Sequence, residues 1–149
     1  MRIAEICSHQ VACIDAGASI RMAATEMRRH HAGCMVIIDP RDIERIPRGI
    51  LTDRDIVVEV IAAGIDPDSV TVREVMAHPP ATCREDDKLF DAIATMRLLG
   101  VRRLPVVGVR GQLVGLVSAD DIYSALGMCL RELWQAGARG GAREIERRS

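Results

Sequence analysis

The chain has 149 residues, 48% of them apolar, and a formal net charge of −1. That length holds one domain or two small ones, and the balanced charge with 2% aromatics offers neither the basic footprint nor the stacking platforms of a nucleic-acid binder. No apolar run reaches the roughly 18 to 20 residues of a membrane span, and no signal-peptide pattern opens the chain, so no membrane partner and a cytoplasmic location are expected.

In chain order, a first extended run covers Val11 to Ile14. A helix follows, with Ile20, Ala23, Ala24, Met27 and His31 on one face. An apolar strand, Cys34 to Ile38, is followed by a long turn, a second strand at Gly49 to Leu51, and a helix that starts at Thr52 and ends near Gly64. Residues 66–77, which contain Asp66-Pro67, read as a linker. The same order then returns: an extended run at Ala81 to Cys83, and a helix whose face carries Leu89, Ala92, Ile93 and Met96 and which Gly100 ends. Strands at Leu104 to Val107 and Leu113 to Val117 follow, then a helix from Ser118 to beyond Leu130. The tail, 134–149, is rich in Gly, Arg and Glu and is expected to fray.

The recurrence is a duplication. At an offset of 69, Ala12 meets Ala81, Ala23 meets Ala92, Met27 meets Met96 and Arg28 meets Arg97. Further on the offset becomes 66: Gly49 meets Gly115, Asp55 meets Asp121 and Ile56 meets Ile122. The longer turn PRDIERIPRG, against VRGQLVG, absorbs the difference. The fold class that follows is α+β, two pseudo-symmetric β-α-β-β-α repeats packed sheet to sheet. Repeat one covers 1–65 and repeat two 78–133. Each alone has a thin core, and pairing the sheets thickens it.

The most informative string is GILTDRDI at 49–56, echoed by GLVSADDI at 115–122. Each places Thr or Ser at a strand-to-helix junction with an acid three residues later. A capping box explains that pattern structurally. The junction also exposes amides that suit a phosphate, and a carboxylate beside it can accept both hydroxyls of a ribose. The two uses are compatible.

With the run GVRRLPVVG at 100–108, these strings make the chain similar to a tandem pair of cystathionine-beta-synthase (CBS) domains, a Bateman module, over about residues 1 to 130. The resemblance implies an adenosine-type ligand (AMP, ADP, ATP or S-adenosylmethionine) in the cleft between repeats, and a homodimer. Carried across by motif, Asp55 and Asp121 hold ribose hydroxyls, and Thr52 and Ser118 contact ribose or phosphate. The backbone of Gly33, Cys34, Met35 and Val36 and of Arg102, Arg103, Leu104 and Pro105 frames the base. Cys13-Ile14 and Thr82-Cys83 close its pocket, and Arg54, Arg102 and Arg103 contact phosphate. Arg102 and Arg103 are expected to face the junction at Ser118 and Asp121, so the second-repeat site is expected to be the tighter one. The helix of the second repeat, with Ile122, Leu126, Cys129, Leu130 and Leu133, offers the dimer face.

Other signals are discounted. Five cysteines in no regular framework read as small buried hydrophobes. Cys7, His9 and Cys13, or His30-His31 with Cys34, do not match the spacing of structural zinc, and no metal is expected. No nucleophile–base constellation, P-loop or dinucleotide fingerprint occurs, so no catalytic residue is assigned and the chain is not read as an enzyme. The expected function is a sensor with an adenosine nucleotide as regulatory ligand, no required cofactor, and a regulated protein as partner. The alternative is a structural dimer or adaptor with vestigial clefts.

Overall fold

The computed structural model describes residues 1–148. Strands β1 (Cys13–Ile14), β2 (Cys34–Ile37) and β3 (Gly49–Thr52) form one sheet in that order. Helix α1 (Ile20–His30) connects β1 to β2. Asp53–Asp55 (α2) runs directly into a π-helical turn, Ile56–Ile61. After a short helix α3 (Val72–Val75) the pattern returns as β4 (Cys83–Arg84), α4 (Leu89–Leu99), β5 (Arg103–Val107), β6 (Leu113–Ser118) and α5 (Ala119–Arg148). In each sheet the first pair of strands is parallel and the second antiparallel, as a helical crossover followed by a hairpin requires.

Local chemistry sets the element ends. Ser19 caps α1 by accepting from the Met22 amide at 3.1 Å. Gly100 closes α4 in the left-handed conformation, φ 66°. The strand pleat then sorts the side chains. On β2, Met35 and Ile37 enter the first repeat's own core, whereas Val36 and Ile38 meet Leu113 between the sheets. On β5, Leu104 and Val106 enter the second repeat's core. The sheet-to-sheet contact also takes in Val11, Cys13 and Leu116.

The two repeats exchange their leading segments. Ile3, fully buried, belongs to the second repeat's core with Leu89, Leu104 and Ile122. Val72, 69 residues later and equally buried, belongs to the first repeat's core with Ile20, Leu51 and Val60. The backbone contacts repeat with the same offset. Ile3 N donates to Asp87 O at 2.9 Å and Ala4 N to Glu85 O at 3.0 Å; Val72 N donates to Ala18 O at 2.8 Å and Arg73 N to Ala16 O at 2.9 Å. Ser8 pairs with Leu116 on β6, and Ala77 pairs with Ile50 on β3. The first eight residues therefore complete repeat two. The stretch 70–77, read as linker from its composition, is part of repeat one. Burying one such isoleucine stabilises by roughly 1.5–3 kcal/mol.

Residues 134–148 are helical, the last part of α5, where a frayed tail was expected. No proline interrupts the run, and its Ala, Arg and Glu residues are strong helix formers whose summed preference outweighs the scattered glycines.

Candidate functional site

Both junction strings form capping boxes. In the first, Thr52 N donates to Asp55 Oδ2 at 2.8 Å and Asp55 N to Thr52 Oγ1 at 3.2 Å. In the second, Ser118 N donates to Asp121 Oδ2 at 2.8 Å, the Ser118 hydroxyl donates to the same oxygen at 2.6 Å, and Asp121 N donates to Ser118 Oγ at 3.2 Å. Each box engages one carboxylate oxygen. Oδ1 of Asp55 and of Asp121 keeps its acceptor capacity, so the cap leaves each acid able to take a hydroxyl. Backbone bonds tie each junction to the start of the neighbouring strand: Asp53 N donates to Gly33 O at 3.0 Å, and Ala119 N to Arg102 O at 2.9 Å.

A cleft of about 300 Å³ opens between the repeats. One wall is the first junction: Ile50, Thr52, Asp53, Arg54 and Asp55, with Ala77. The other wall is the end of α4 and start of β5 in the second repeat: Gly100, Val101, Arg102 and Arg103. A Cβ placed on Gly33 would lie 3.1 Å from Arg103 Nη2 and 3.3 Å from Asp53 Oδ2, so the Arg103 guanidinium reaches across the sheet interface through space that glycine leaves.

This corrects the sequence reading. Arg102 and Arg103 line the cleft of Thr52 and Asp55. Pleat parity is the reason: Leu104 faces its own helices, so Arg103 must face the other sheet. The backbone of Arg103 does pair with Ser118, and Arg102 Nη2 lies 3.6 Å from Asp120 Oδ1, but the Arg103 side chain belongs to the first cleft. The offsets relating the repeats place Gly33 and Cys34 opposite Ser118 and Asp121 where the first cleft has Arg102 and Arg103. They place Asp120 where it has Arg54.

The remaining residues divide by face. Met35, Leu104 and Cys83 turn into the repeat cores and offer only backbone toward a ligand. Ile14 packs against the first core, Cys13 and Val36 lie between the sheets, Pro105 is fully buried and Thr82 is exposed. Burial pushes the Cys34 thiol up, opposed by Arg103 and reinforced by Asp53. Burial also pushes Cys83 up, to about 12, with Asp87 adding to it. Ile50, Asp53, Ala77, Gly100 and Val101 line the first cleft without having been singled out from sequence. Applying the repeat offset to Ser8 and Ala77 would have found Ala77. Among the described residues no three of His, Cys, Asp and Glu converge as a metal site, and no helix is long and apolar enough to cross a membrane.

Comparison with known proteins agrees with this geometry. A protein of Methanopyrus kandleri, MK0525, is 40% identical over 99 residues, 66% of this chain and 49% of its own length, so the chain spans about half of that relative. Hypoxic response protein 1 of Mycobacterium tuberculosis is 33% identical over 118 residues, 79% of this chain and 80% of that protein. The structure of Hypoxic Response Protein I with two coordinated zinc ions superposes with a TM-score of 0.72 at 31% identity, covering 83% of this chain and 98% of that one. The CBS domain protein PAE2072 of Pyrobaculum aerophilum, solved in complex with AMP, gives a TM-score of 0.74 at 26% identity, covering 81% of this chain and 89% of that one. The CBS domain profile matches twice, at residues 3–62 and 72–127, one match for each repeat. The chain belongs to the CBS-domain family and carries a tandem pair of the domain.

Proposed function

We propose that the chain is a regulatory module, not an enzyme, and that the cleft of Thr52 and Asp55 takes an adenosine nucleotide. The observation that carries this reading is the convergence in one cleft of a carboxylate with a free oxygen, Asp55, and guanidinium groups from the opposite repeat, Arg102 and Arg103. Asp55 accepts ribose hydroxyls, the arginines take phosphate, and backbone of the strand starts frames the base. The AMP complex of PAE2072 supports the ligand class. Because the ligand contacts both repeats, binding favours one relative placement of them and alters a surface that a regulated protein reads. The chain works as a homodimer, a reading supported by exposed Tyr123, Leu130, Leu133 and Trp134 on α5.

A thermal-shift panel of AMP, ADP, ATP and S-adenosylmethionine against their guanosine counterparts tests the reading, with calorimetry on any hit. A ligand at about 100 times its Kd stabilises the fold by about 2.7 kcal/mol. Guanosine compounds should do less, because backbone groups matched to adenine leave the guanine oxygen unpaired. If no adenosine compound shifts the melting temperature or releases heat, the chain is a structural adaptor with vestigial clefts.

A further inference from the structure

We infer that α5 beyond the body of the fold is a self-pairing arm, which joins two copies of the chain antiparallel. Ile122 and Ala125 are the last buried residues of α5, and every residue from Gly127 to Arg139 is exposed. The 22 residues from Gly127 to Arg148 project about 33 Å at 1.5 Å per residue. A Cβ added at Gly127 or Gly137 would meet nothing within 4 Å. Isolated helices of this length are marginal in water, and most helix stability comes from packing one face. The arm has such a face. At helical spacing Tyr123, Leu126, Leu130, Leu133, Trp134 and Gly137 share one side, while Arg131, Glu132, Gln135 and Arg139 lie away from it. Trp134 is 74% exposed and Leu133 71%.

Three features commit the face to a second copy. The first is size. The apolar half ends at Trp134 with large side chains, and the next positions on the same side are Gly137 and Ala138. An antiparallel pair lays the bulky half of each helix on the small half of the other, the self-complementarity a two-fold interface needs. The second is charge. The first turn of α5 carries Asp120 and Asp121 and its last turn Arg147 and Arg148. Antiparallel pairing brings the basic end of one copy to the acidic start of the other, whereas parallel pairing would stack the basic ends. The third is area. Tyr123, Leu130, Leu133 and Trp134 expose together about 400 Å² per copy, taking ~200 Å² for an aromatic side chain and ~100 Å² for a leucine. Two copies approach the ~1,000 Å² of a specific interface before Leu126 is counted. The stripe also continues into an apolar groove of about 440 Å³ between α4 and α5, lined by Ile93, Met96, Tyr123 and Leu126. The arm of the second copy runs along its mouth. Ile122, listed by the sequence reading among dimer contacts, is buried in its own core and takes no part.

Light scattering on the full chain, with emission of Trp134, its single tryptophan, tests the inference. The expected result is a dimer at micromolar concentration whose emission shifts to the red on dilution, in step with the loss of dimer mass. The double variant Leu130→Glu/Leu133→Glu should be a monomer with solvent-exposed emission and an unchanged body melting temperature, since neither side chain touches the core. A monomeric parent chain, or a double variant that stays dimeric, overturns self-pairing through the arm. For direction, Arg147→Cys in a Cys129→Ser background is treated with a short bis-maleimide. Antiparallel arms hold the two 147 positions about 30 Å apart and should give no added cross-link over the Cys129→Ser parent. Efficient cross-linking would show parallel arms and overturn the orientation.

Discussion

Asp55→Asn removes one charge from the first cleft and leaves an oxygen to accept the Thr52 amide now bonded at 2.8 Å. The cap survives, so an effect on binding is separable from an effect on folding. A hydrogen bond to a charged partner is worth about 1.5–3 kcal/mol. A ribose hydroxyl that loses it should weaken AMP binding roughly 10- to 150-fold. Arg103→Ala should act on the same phase by a similar factor, with Arg103→Lys in between, because an ammonium keeps the charge and loses the bidentate geometry. The matched change in the other repeat, Asp121→Asn, faces Gly33 and Cys34 in place of two arginines and should leave the tighter phase within about threefold, less than one charged contact. Isothermal titration of the four proteins with AMP, alongside their unliganded melting temperatures, reads all of this. If Asp121→Asn abolishes the tighter phase while Asp55→Asn spares it, the crossing of Arg103 into the first cleft does not govern affinity and the reasoning fails.

Two further outcomes follow from the exchanged segments and the thiols. Ile3→Ala should cost about 2–5 kcal/mol in urea unfolding, because it opens a cavity in the second core; a loss under about 1 kcal/mol would mean that the N-terminal segment is not packed as described. Alkylation of the native chain at pH 8, followed by peptide mass spectrometry, should label exposed Cys129 first and buried Cys34 and Cys83 last. With its thiol pushed up to about 12, Cys83 is thiolate only at about one part in 10⁴ at that pH. Labelling of Cys83 as fast as Cys129 would show that its core opens readily.

Much of the fold was legible because the forces that write it are local. The hydrophobic spacing of Ile20, Ala23 and Met27 describes a helix face wherever that face is packed, and Gly100 ends α4 through its own backbone freedom. The capping boxes of Thr52–Asp55 and Ser118–Asp121 were visible in the strings themselves, since donor and acceptor lie three residues apart. The offset of 69 predicted two equivalent halves, and the backbone bonds of Ile3 and Val72 repeat with that offset.

Partner choice was decided elsewhere. Ile3 and Val72 are apolar residues in short, weakly patterned segments, and no local signal says which of two similar cores will bury them. The tertiary structure sends each to the repeat that lacks a leader, because that is where apolar surface remains to be covered. Arg102 and Arg103 likewise declare a phosphate-binding chemistry by residue type, but not the cleft they serve. That depends on the parity of Leu104, which turns Arg103 toward the other sheet, and on the missing side chain at Gly33, which lets the guanidinium through. Sequence alone determined the elements, the duplication and the kinds of group at the site. Only sheet-on-sheet packing, which joins residues some seventy positions apart, determined which groups share a cleft.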